Sequence, residues 1–139
     1  MITEAQLYSL LDSARDIEYL RERIERLRSS LESASPALGR IGSHGSAEHD
    51  KMAANIARLA DMQGELAEKV YAREQLMQGF ESALDYIQFA EREVVRLRYG
   101  LGYGWKRVAR QTSYHIRSCY RVNRKFCSEI RKLSLNVTY

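Results

Sequence analysis

Apolar residues recur along this chain at alternating intervals of three and four. Ile17, Leu20, Ile24, Leu27, Leu31 and Ala34 form a first series. Met52, Ile56, Leu59, Gln63, Leu66, Val70, Arg73, Met77, Phe80, Leu84 and Ile87 form a second, in which nine of the eleven positions are apolar. A three-four alternation is the period of helices packed side by side. It predicts one helix over residues 3–33 and a longer one over 47–88, the latter roughly 60 Å long at 1.5 Å per residue. Neither helix can bury such a stripe alone, so the expected arrangement is a long antiparallel helical hairpin, a coiled coil. The second helix outruns the first, which leaves part of its stripe for a second copy of the chain and predicts a homodimer. Gln63 and Arg73 are the two polar breaks in that stripe, and either would set register or face a gap in the packing.

Thr3 and Gln6 have the spacing of a capping box at the first helix start. Leu7, Tyr8, Leu10, Leu11 and Ala14 make its opening turns apolar on more than one side, so this end is expected to pack against more than one partner. Arg15, Asp16, Glu18, Arg21, Glu22, Arg23, Glu25, Arg26 and Arg28 supply a charged outer face further on. Residues 34–47 break the pattern. They hold Pro36, the only proline, and three glycines, and they read as a loop. His44, His49 and Asp50 lie close together there, but their spacing matches no common ligand set, and no metal is expected.

Beyond residue 88 the composition changes. Residues 1–89 carry 10 Lys+Arg against 15 Asp+Glu, and residues 90–139 carry 12 against 3, so the two parts differ in sign, −5 and +9. A basic end on an acidic scaffold points to a polyanion partner. Glu91–Tyr99 runs from acids to bases, as a helix dipole favours, and Gly100 stands where a helix-ending glycine is expected. After the turn LGYG, the twenty residues 105–124, WKRVARQTSYHIRSCYRVNR, fit a helix-turn-helix template. Ala109 is the small residue where two helices cross. Val108, Tyr114, Cys119 and Val122 occupy inward positions, the turn falls at residues 111–113, and the second helix runs from about His115 to Leu133. Many such motifs place glycine where Ser113 stands, because the backbone there takes positive φ.

Outward residues of that second helix are the candidate base readers: Arg117, Ser118, Tyr120 and Arg121. Arg117 and Arg121 lie four apart on one face, and an arginine can make the bidentate guanine contact. Lys106, Arg107, Arg110, Arg124 and Lys125 are the candidate phosphate contacts, which fix register without reading sequence. Trp105 reads as a packing anchor.

The chain has 139 residues, 45% hydrophobic and 29% charged. No apolar run approaches the ~18 residues of a membrane span and no signal pattern follows Met1, so a cytoplasmic protein is expected, with no membrane partner. Cys119 and Cys127, eight apart in one helix, read as reduced thiols. No catalytic constellation is visible. The glycines of residues 100–104 lack the strand and lysine of a phosphate loop. No enzymatic activity and no cofactor are expected.

The stretch EREVVRLRYGLGYGWKRVARQTSYHIRSCYRVNRKF resembles region 4 of sigma-70-type transcription factors, over residues 91–133. With the preceding hairpin, the chain resembles small phage and prophage proteins of Gram-positive bacteria that carry a sigma-region-4-like C-terminus, some of whose relatives are late-gene regulators. The resemblance implies promoter or operator DNA as target, RNA polymerase as a second partner, and the cytoplasm of a bacterial host. Two features depart from it. The first reader helix is basic, through Lys106, Arg107 and Arg110, where the family is acidic. His115 stands where the family caps with Ser or Thr. Regions 2 and 3 have no counterpart.

The fold expected is thus all-α, with a hairpin scaffold over residues 1–88 and a helix-turn-helix domain over 89–139. The function expected is a sequence-specific, double-stranded-DNA-binding transcriptional regulator of phage type. A DNA-packaging component like a small terminase subunit, or an adaptor docking on RNA polymerase, would use similar parts. Light scattering separates the packaging reading, which needs a ring of many copies, from a dimeric regulator.

Overall fold

Thr3 opens the first helix as its spacing requires. Its N–H donates to Gln6 Oε1 at 2.9 Å and its hydroxyl accepts from the Gln6 N–H at 3.2 Å, so two otherwise orphaned amides are satisfied. The computed structural model describes residues 1–40 and 46–137, and within them the chain is all-helical. Five α-helices follow in order: α1 (Glu4–Arg40), α2 (Ser46–Ala83), α3 (Phe89–Val95), α4 (Trp105–Thr112) and α5 (Ile116–Val137). A 3-10 turn, Leu84–Tyr86, ends α2, and a π-type turn, Arg96–Gly100, ends α3. No helix among the described residues is long and apolar enough to cross a membrane.

Helix α1 continues to Arg40, through part of the stretch expected to be a loop. Pro36 withdraws one amide donor, but the residues on either side of it, SLESAS and ALGR, contain no β-branched side chain that would add to the penalty. Residues 41–45 of that expected loop, including His44, lie outside the described residues, and Ser46 already begins α2. Among those described, no cluster of His, Cys, Asp or Glu could hold a metal ion.

The chain divides into two compact units, Met1–Arg15 with Tyr71–Tyr139, and Asp16–Val70. In the second unit Leu20 and Ile24 of α1 are buried with Met62 of α2, and Leu27, Leu59 and Leu66 pack beside them. The inward register of α2 therefore differs from the expected one. Leu59 and Leu66 belong to both, but Met62 points in where Gln63 was expected, and Ile56 is 52% exposed. Two neighbouring phases of α2 carry apolar residues, and only one stripe can face a single partner helix. The register with Met62 inside leaves the Gln63 amide in water, which avoids the cost of burying it unpaired.

The first unit holds the larger core. Ile2, Leu7, Leu10 and Leu11 from the start of the chain pack with Phe80, Ala83 and Leu84 at the end of α2. Val94, Val95, Leu97 and Tyr99, then Val108, then Cys119, Val122, Phe126, Cys127 and Ile130, complete the same cluster. The broad apolar face at the start of α1 thus meets several elements, as its sequence suggested. Phe80, Tyr99 and Phe126 sit at the centre, with Phe80 edge-on to Phe126 at 5.8 Å between centroids. The Tyr99 hydroxyl donates to Asn123 Oδ1 and lies 4.0 Å from Cys127 Sγ. Burial pushes both the tyrosine hydroxyl and the Cys127 thiol up from their ordinary values, so both stay protonated.

Arg73 points inward from α2, as its place in the stripe predicted. Its Nη1 donates to the Leu10 carbonyl at 3.2 Å and to Ser13 Oγ at 3.3 Å. Its Nη2 donates to the Tyr99 carbonyl at 3.0 Å and to the Gly100 carbonyl. The last carbonyls of a helix lack intrahelical partners, and a planar guanidinium can serve several acceptors at once. One side chain therefore ties α1 and α2 to the π-type turn that leads into α4.

Candidate nucleic-acid interface

Gly102, rather than Gly100, takes the left-handed conformation after that turn, with φ of 75°. A Cβ at Gly102 would lie 3.0 Å from Ala14 Cβ, so both its conformation and its close approach to α1 require glycine. The Tyr103 N–H donates back to the Leu97 carbonyl at 3.1 Å, and Gly104 begins α4. Arg98 donates to the Tyr103 carbonyl at 3.0 Å and lies over the Trp105 ring at 4.7 Å. Trp105 in turn meets the edge of Tyr120 at 5.4 Å. Trp105 is half-buried and serves as the packing anchor expected of it. Arg98 is the residue that sequence reasoning left without a role, although it belongs to the LRYG stretch.

The connection between α4 and α5 is three residues long. Ser113 ends α4 with φ 61° and ψ 12°, the one positive-φ non-glycine residue among those described. The Thr112 hydroxyl donates to the Val108 carbonyl at 2.7 Å and accepts from the Tyr114 N–H at 3.4 Å, which fixes the exit of α4. His115 starts the next helix. Its carbonyl accepts from Ser118 and Cys119 N–H groups, and its Nδ1 accepts from the Arg117 N–H at 3.2 Å. The imidazole thus does the work of the Ser or Thr usual at a cap. Val108, Cys119 and Val122 are buried between the helices, with Ala109 and Tyr114 partly buried beside them.

Holding serine in the left-handed region costs about 1–2 kcal/mol, while glycine's freedom in the unfolded chain returns about 0.4–1 kcal/mol of that difference. Ser113→Gly is therefore expected to stabilise the protein by about 0.5–1 kcal/mol. Urea denaturation reads this directly, and a destabilised variant would contradict the turn geometry.

Three of the four candidate readers are exposed, and the fourth, Ser118, is not. Arg117 and Arg121 are exposed on α5, Tyr120 is 40% exposed, and Ser118 is partly buried. Lys106, Arg107 and Arg110 are exposed on α4, and Arg124 on α5. Among the described residues none of these six cations forms an ion pair, although Arg107 lies over the Tyr103 ring at 3.6 Å. Lys125 differs. Its ammonium pairs with Glu91 at 3.1 Å, across from α5 to α3, and the Glu91 side chain is largely buried. Lys125 therefore secures α3 to α5 as well as lying on the basic side. Other acids of this unit are paired away from the basic side, with Arg96 held to Glu81 at 3.0 Å and Arg131 to Glu4 at 3.5 Å. No family model, curated protein or solved structure matches the chain.

Proposed function

We propose that α4 and α5 form a helix-turn-helix and that the protein is a DNA-binding transcriptional regulator, without enzymatic activity. The observation that carries this reading is the left-handed Ser113 turn between two short-linked helices, with the exposed Lys106, Arg107, Arg110, Arg117, Arg121 and Arg124 beside it free of carboxylate partners among the described residues. Such a turn sets α5 as the recognition helix, whose first residues meet base edges in a major groove. In this reading Arg117 and Arg121 read bases, with Ser118 and Tyr120 beside them. Lys106, Arg107, Arg110 and Arg124 hold phosphates. Lys125 contributes less than these because Glu91 offsets its charge.

The reading extends to the likeness with sigma region 4 and with phage late-gene regulators, and to RNA polymerase as a second partner. Helices α1 and α2 would form the antiparallel hairpin that brings two copies together. The exposed Ile56 and Val70, left outside the α1–α2 cluster, supply apolar surface for that association. Two readers in a dimer would address half-sites about 34 Å apart.

The test is DNA binding by variants, after selection of bound genomic fragments. Arg121→Ala is expected to cost about 1–3 kcal/mol on the selected site and to flatten the preference at one base position. Lys106→Ala is expected to weaken binding to all sequences alike. Four phosphate contacts in each subunit predict a slope of roughly −3 to −4 per bound subunit for log affinity against log salt. If neither variant binds more weakly than the parent protein in a gel-shift titration, α5 is not the reader.

A further inference from the structure

Three arginines from distant parts of the sequence converge on the turn that precedes α4. Arg15 comes from α1. A Cβ at Gly102 would lie 3.6 Å from Arg15 Cγ and 3.8 Å from the Leu11 carbonyl oxygen, so this part of α1 lies directly against the turn. Arg98 grips the next residue by its bond to the Tyr103 carbonyl, and Arg107 covers the Tyr103 ring. Arg15 is exposed, and none of the three is ion-paired among the described residues. Asp12 and Glu18, three residues to either side of Arg15, make no ion pair with it. Arg98 Nε is buried without a hydrogen-bond partner.

We propose that Arg15, with Arg98 and Arg107, forms a clamp for a DNA backbone phosphate, so that α1 is part of the DNA interface. The proposal rests on the DNA-binding reading and extends it to a helix that sequence alone assigns to the scaffold. Like charges gathered without a carboxylate repel one another in the free protein. Burial first, and the nearby Arg15 charge second, hold the Arg98 guanidinium below its ordinary value. A phosphodiester oxygen relieves that repulsion, and guanidinium groups suit it because they donate in a planar fork. The turn also delivers the first amides of α4, which Gly104 leaves without a side-chain cap and which favour the same anion. Arg15 is the member whose removal disturbs the fold least, since Arg98 and Arg107 are both engaged with aromatic rings.

Phosphate contacts are independent of sequence, so the probe is a fluorescein-labelled mixed-sequence DNA duplex a few helical turns long. Anisotropy titrations over a range of salt concentrations compare the parent protein with Arg15→Ala and with Arg21→Ala, an exposed arginine of the other compact unit. Arg15→Ala is expected to weaken binding and to make the salt slope shallower by about 0.9 per bound subunit, the value of one phosphate contact. Arg21→Ala is expected to leave both unchanged. If the parent binds the duplex and Arg15→Ala keeps the parental slope, the clamp is refuted while the DNA-binding reading stands. An equal loss in Arg21→Ala also refutes it, because the effect would then be one of net charge. Failure of the parent protein to bind any duplex overturns the DNA-binding reading and the clamp together.

Discussion

The Phe126→Ala variant is expected to lose about 3–5 kcal/mol of stability, the usual range for removing a fully buried phenylalanine. Domains of this size are stable by only about 5–15 kcal/mol, so the loss would leave much of the population unfolded on mild heating. Phe126 has no exposed surface. Its ring stands at 88° to Phe80 and lies 6.4 Å from Tyr99, so one side chain of α5 fills the space between the end of α2 and the π-type turn. Those neighbours are held by separate helices, and they cannot close on the vacated volume without moving backbone. A urea midpoint shifted at constant slope would register the loss. A change below about 1 kcal/mol would mean that the site collapses freely and is not the centre of the core.

Arg73→Met is expected to have the next largest effect, about 2–3 kcal/mol, because hydrogen bonds from charged donors are the strong ones and several are lost together. The methionine keeps the apolar stem but cannot serve the Tyr99 and Gly100 carbonyls, which the turn cannot satisfy by itself. Burial lowers the Arg73 guanidinium from its ordinary value, and that desolvation offsets part of the gain, so the expected loss is smaller than the sum of the bonds. Arg73→Lys should recover only a part, since an ammonium lacks the two-pronged geometry that reaches α1 and the turn at once. Equal stability of the parent protein and Arg73→Met by urea denaturation would show that the four contacts are incidental.

These two residues also show what the sequence could convey. Helical periodicity identified the inward face of α1 at Ile17, Leu20 and Ile24, because no competing apolar phase lies beside it. Along α2 the expected stripe holds at Leu59, Leu66, Arg73 and Phe80, but Met62 points in where Gln63 was expected. Met62 and Gln63 are neighbours, and the pattern alone scored Ile56, Gln63 and Val70 as one continuous stripe. Arg73 was recognisable as inward, but not the acceptors it serves, which lie sixty residues upstream at Ser13 and about twenty-six downstream at Tyr99. Periodicity says that a face is buried and is silent about its partner. The same limit applies to the basic side. Local spacing places Arg117, Arg121, Lys106 and Arg110 outward, whereas the nearness of Arg15 to the turn depends on the tertiary approach of Gly102 to α1. His115 stands where Ser or Thr is usual at a cap, and its Nδ1 accepts from the Arg117 N–H, a role that spacing alone does not reveal.

The compact unit that holds α4 and α5 takes its first fifteen residues from the beginning of the chain and the rest from residue 71 onward. On a ribosome, which delivers about 5–20 residues each second, the segment with Ile2, Leu7 and Leu10 would emerge seconds before Phe126 and Ile130 exist to cover it. Residues 16–70 need no such wait, since Leu20, Ile24 and Met62 lie within a local excursion and can pair as soon as it is made. Closing a loop of that length costs entropy that grows only slowly with its size, and a helix pair formed early shortens the search further. Synthesis thus favours an order in which residues 16–70 pair before the unit made of residues 1–15 and 71–139 is complete. Until α5 is complete, the apolar start of α1 is an exposed nascent surface, and the interval in which it can meet another chain is set by the speed of translation.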